Sequence, residues 1–64
     1  MIRLGIAYNV IDDKTIQIKD LEDEELYEVK GSILDVDSIR DGLDNDMKRE
    51  LLIEYNDETM EMVV

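Results

Sequence analysis

The chain has 64 residues, with 18 Asp plus Glu against 7 Lys plus Arg and no His, Cys, Pro, Trp or Phe, for a formal net charge of −11. Without Cys or His it has no thiolate nucleophile, no disulfide, no Ser-His-Asp arrangement and none of the usual zinc, haem or iron-sulfur ligand sets. Its negative charge disfavours direct contact with nucleic-acid phosphates and with anionic membrane surfaces.

This length allows a single acidic domain, 1–64, and a domain near 60 residues buries only about 60% of the surface its unfolded chain exposes. Homodimerisation is the expected supplement. An apolar share of 44% predicts a folded chain. No apolar run reaches the 18 or so residues of a membrane span and no signal-peptide pattern opens the sequence, so a cytoplasmic location is expected.

In chain order, Ile2, Leu4, Ile6, Tyr8 and Val10 alternate with Arg3, Gly5, Ala7 and Asn9, which predicts a strand with the first set facing inward. Asp12-Asp13-Lys14 is a turn, and Thr15 to Lys19 alternates again. Pairing Val10 with Ile16 and Tyr8 with Ile18 keeps the apolar side chains on one face.

Residues 20–30 admit two readings. In one, Asp20 caps a helix that carries Glu22 to Glu25 in its first turn, Lys30 in its last, and Gly31 beyond it. In the favoured reading Glu22 to Glu25 form a loop and a strand runs from Leu26 to about Val36. Tyr27, Val29, Leu34 and Val36 then face inward, with a bulge at Gly31.

Ile39, Leu43, Met47 and Leu51 recur every four residues, but Gly42 and Asp44-Asn45-Asp46 weaken the pattern, so a short helical turn or ordered loop is expected. The last segment reads as a hairpin turning at Asp57 and Glu58, with Tyr55 opposite Met60, Ile53 opposite Met62 and Leu51 opposite Val64. This register sets Glu54 against Glu61, a repulsive pair, and Leu52 against Val63 on the outer face. The expected fold is mostly β: a small antiparallel sheet or partly open five-stranded barrel with at most one or two short helical segments. The alternative is α+β with a helix near residues 20–30.

Residues 1–19 carry a net +1 and residues 20–64 a net −12. The acids gather at Asp20 to Glu28, at Asp35 to Asp46 and at Glu54 to Glu61. Solvation is the plain explanation of each cluster, although so dense a charge costs stability by self-repulsion. The calcium-loop pattern fails, since Ile39 and Arg40 stand where a ligand and a glycine belong after Asp35 and Asp37. Ser and Thr have no His or Cys to activate them, and a chain this small has little material for the walls of a carboxylate cleft. No enzyme, metal or cofactor is expected.

The reading is a non-enzymatic protein-binding module for a basic-surfaced partner, in its finer form a nucleic-acid-binding protein that it inhibits. The candidate binding residues are Glu54, Glu61, Asp57 and Glu58, then Glu22, Asp23, Glu24, Glu25 and Glu28. Acids on alternate strand positions would recur about every 6.6 Å, similar to backbone phosphates. In size and charge the chain resembles the small phage-encoded DNA-mimic inhibitors; the resemblance is compositional and carries over no residue. The alternative is a structural or assembly protein with an apolar homo-oligomeric interface through Leu52, Val63 and Ile11.

Overall fold

A computed structural model describes residues 1–44 and 51–63. Five strands, β1 (Ile2–Asp12), β2 (Thr15–Asp20), β3 (Leu26–Lys30), β4 (Leu52–Asn56) and β5 (Glu61–Met62), and one helix, α1 (Ile33–Asp44), follow one another with α1 between β3 and β4. The strands close into a barrel in the order β1-β2-β3-β5-β4. β1, β2 and β3 form a meander and β4 returns to lie beside β1, which is a Greek key. β5 then joins the gap, antiparallel to β4 and parallel to β3. The mostly-β expectation holds, and the barrel is closed rather than partly open because these last residues bridge it.

The first strand faces the opposite way from the expected phase. Gly5 and Ala7 are buried and Arg3 points inward, while Ile2, Leu4 and Tyr8 are exposed. A register shift between Ala7 and Asn9 leaves Tyr8 without a cross-strand partner and brings Val10 back to the inner side. Val10 thus pairs with Ile16 as expected, but Ala7, not Tyr8, pairs with Ile18. Alternation alone cannot choose between two faces, and a narrow barrel selects the small side chains for its inside.

Residues 20–30 form no helix. A turn at Leu21–Asp23 leads into the short β3, so the helical alternative is overturned. The favoured long strand also fails beyond Lys30. Ser32 stops it, because its hydroxyl accepts the Asp35 N–H at 3.1 Å and donates to the Asp35 carboxylate at 3.0 Å, a reciprocal helix cap. Val36 is therefore buried from a helix and Leu34 is exposed. Val36, Ile39 and Leu43 carry the apolar face of α1 onto the barrel, so Ile39 and Leu43 of the four-residue spacing lie on a helix longer than the expected turn, whereas Leu51 stands just before β4. Asp46, Met47 and Val64 lie outside the described residues, and with them the expected pairing of Leu51 with Val64.

The core joins Ala7, Ile16, Ile18, Val29 and Tyr55 from the barrel to Val36 and Ile39 from the helix. No helix among the described residues is long and apolar enough to cross a membrane.

Candidate partner-binding surface

Asp20 is the last residue of β2, and only 1% of it is exposed. A buried carboxylate must be fully partnered, and this one is. Oδ2 accepts Arg3 Nε at 2.9 Å and the Tyr55 hydroxyl at 2.5 Å. Oδ1 accepts Arg3 Nη2 at 3.0 Å and the backbone N–H groups of Glu22 and Asp23 at 2.7 and 3.3 Å. The Arg3 guanidinium, and secondarily the Tyr55 hydroxyl, hold the Asp20 carboxyl well below the usual carboxylate range. Burial, reinforced by the hydrogen bond to Asp20, pushes the Tyr55 phenol up.

The same contacts build the β2–β3 loop. Asp20 fixes the N–H groups of Glu22 and Asp23, and Asp23 accepts the Glu25 N–H at 2.9 Å and the Tyr27 hydroxyl at 2.6 Å. That hydrogen bond raises the Tyr27 phenol above its ordinary value. Asp20 and Asp23 thus hold the loop, while Glu22, Glu24 and Glu25 point outward.

The β4–β5 loop comes to the same end of the barrel. The Met1 ammonium meets Asp57 and Glu58, each at 3.2 Å, and Arg3 lies 4.0 Å from Asp57, 3.9 Å from Asp23 and 2.9 Å from Glu22. Asp57, then Glu58, raise the Met1 amine above its ordinary value. Five carboxylates (Asp20, Glu22, Asp23, Asp57 and Glu58) therefore stand round two cations, Arg3 and the Met1 ammonium, and Glu22 and Glu58 are each 78% exposed. Two candidate clusters distant in sequence form one acidic end.

The remaining candidates are not part of it. The β4–β5 connection spans Asp57 to Met60, with the Met60 N–H donating to the Asn56 carbonyl at 2.7 Å and Met60 at a φ of 58°. This wider loop slides the register by two, so Tyr55 pairs with Met62 and Asn56 with Glu61. The expected pairs of Tyr55 with Met60, Ile53 with Met62 and Glu54 with Glu61 are overturned, and with them the repulsion. Glu54 instead stands opposite Leu4 of β1. Glu61 sits beside Lys30 of β3 and shares a depression with Glu28 and Asp12. No strand among the described residues presents two acids at successive outward positions; Leu52 and Asn56 flank Glu54, and Leu26 and Lys30 flank Glu28.

Leu52 and Val63 are not opposite one another either, since the Val63 N–H donates to the Glu54 carbonyl at 2.9 Å. They nevertheless line one groove with Leu4. Ile11 is exposed at the β1–β2 end, away from it. Among the described residues no group of three carboxylates is placed to hold a metal ion.

Arg3, Tyr55 and Leu4 escaped the sequence reading. The signal for the first lay in Gly5 and Ala7: small residues at alternate positions mark a crowded inner face, and Arg3 shares their phase. Set against protein-family models, curated proteins and solved structures, the chain matches none.

Proposed function

We propose that this chain is a non-enzymatic binding module whose acidic end captures a basic-surfaced protein. The observation that carries the reading is the gathering of five carboxylates around two cations, with Glu22 and Glu58 largely in solvent. A partner's Lys or Arg adds charge-assisted hydrogen bonds there without displacing Asp20, which is already satisfied. The uncompensated field steers such a partner from a distance.

A nucleic-acid-binding protein is the finer form of the proposal, since its site is built for dense negative charge. Five-stranded Greek-key barrels that bind oligonucleotides use the face of strands 2 and 3 and the loops after strands 1 and 4. In this barrel the face of β2 and β3 and the loop after β1 balance Asp12, Asp13 and Glu28 with Lys14, Lys19 and Lys30, and the excess of acid lies in the β4–β5 loop at Asp57 and Glu58. Mimicry here rests on clustered loop acids, not on a strand ladder of phosphate spacing.

The test is retention from lysate of the source organism on immobilised protein, eluted by a salt gradient. A nucleic-acid-binding protein should leave at moderate salt and be displaced by duplex DNA, and the Glu22→Lys/Glu58→Lys variant should retain far less of it. Retention that is indifferent to salt and to these substitutions would refute the reading.

A second reading, assembly of copies through Leu52 and Val63, is favoured by the exposure of both. Sedimentation at high and low salt separates it, because an apolar assembly persists when charge is screened.

A further inference from the structure

Leu52 of β4 is 62% exposed and stands opposite Ile6 of β1, while Leu4 and Glu54 form the next pair along the same outer face. α1 runs beside them. Between helix and strands lies an open groove of about 420 Å³ whose apolar lining includes Leu4, Ile39, Leu52 and Val63 and whose polar lining includes Asp35 and Glu54. Ile53 and Met62 also line it, and both pack against the core. An apolar centre with charged margins is the anatomy of a protein interface.

The margins choose the occupant. Both groove carboxylates are acidic, and Arg40, the base on α1, is engaged by Asp37 at 3.0 Å and by Asp13 at 3.8 Å. A second copy of the chain would bring the same acids and another −11 of charge to this surface. A partner with an aliphatic side chain flanked by Lys or Arg meets both the centre and the margins.

We infer that this groove between α1 and the outer faces of β1 and β4 receives an aliphatic side chain of the basic partner, with flanking cations set against Asp35 and Glu54. The inference rests on the basic-partner reading and adds the determinant of residence: the acidic end governs approach and the groove governs release.

Two synthetic peptides of equal positive charge test it, one alternating lysine with serine and one alternating lysine with leucine. At low salt both should bind, since both see the acidic end. The leucine peptide should bind more tightly and keep measurable affinity at high salt, shifting the amide resonances of Leu4, Leu52 and Glu54. Leu52→Asn should weaken the leucine peptide about tenfold and leave the serine peptide unchanged. Leu34→Asn, at a helix position 77% exposed and outside the groove, should change neither. Equal affinities with shifts confined to residues 20–25 and 57–60 would overturn the groove and leave the basic-partner reading intact. Failure of both peptides at low salt would overturn both. Self-association of the free protein abolished by Leu52→Asn would assign the groove to a second copy and overturn the inference.

Discussion

Gly5 and Ile18 share the inner face of the β1–β2 ladder with no room for one more methyl group between them. A Cβ on Gly5 would stand 2.7 Å from Ile18 Cδ1 and 3.1 Å from the Lys19 carbonyl oxygen. Gly5→Ala should therefore destabilise by about 1–3 kcal/mol, as overpacking does. Ile18→Val removes the clashing carbon, so the double variant should lose less than the sum of the two single changes in urea denaturation. Strict additivity would mean that the crowding lies elsewhere.

Tyr55→Phe removes one hydrogen bond to a buried carboxylate and little else. The expected loss is about 1.5–3 kcal/mol, with Tm falling by about 4–8 °C per kcal/mol. Because the folded phenol is held above its ordinary value, its contribution is whole below about pH 10 and declines as pH rises beyond it. The difference between wild type and variant should shrink in that alkaline range; a constant difference would mean the hydroxyl gives no linked stabilisation.

The acid side reports on Asp20. Its folded carboxyl is depressed, so its stabilisation is complete above the ordinary Asp value near pH 4 and is lost as pH falls below that toward the folded value. Asp20→Asn should be more damaging than Tyr55→Phe at neutral pH, since it strips the partner from Arg3 as well. Thermal unfolding of wild type and Asp20→Asn should draw together progressively as pH falls below 4. Parallel curves would assign the network no part in acid stability.

Glu24 adopts a φ of 61° at the tip of the β2–β3 loop, a conformation that costs a side-chain-bearing residue about 1–2 kcal/mol. Glycine relieves it, so Glu24→Gly should raise stability by about 0.5–1 kcal/mol after its own entropy cost. The same substitution should leave Asp23 and Tyr27 joined. Met60, at a φ of 58°, should not gain in the same way, because its side chain packs against the core.

The β class of the fold was legible because period-two patterns run through both ends of the chain, and the Val10–Ile16 pair followed from them directly. What alternation withheld was phase. Arg3, Gly5 and Ala7 looked like an outer face until closure made the interior too narrow for Leu4 and Tyr8. The start of the helix was missed: Ser32 and Asp35 are spaced as a cap, but Tyr27 and Val29 just before them favoured continuing the strand. The acidic end was half legible: its residues were named from composition, but their meeting depends on Arg3, whose role no local pattern displays. The two-residue slip at the C-terminal hairpin came from the α-turn at Asn56 to Met60, which hydrophobic matching alone does not reveal.

The barrel is closed by its shortest strand, and that strand comes last. Lys30 and Glu61, 31 positions apart, form the parallel contact that ties the two sides. Without Glu61 and Met62, β3 stays paired with β2 and β4 with β1, but each keeps one open edge. A cut before residue 61 would therefore leave both edges open as templates for strand addition.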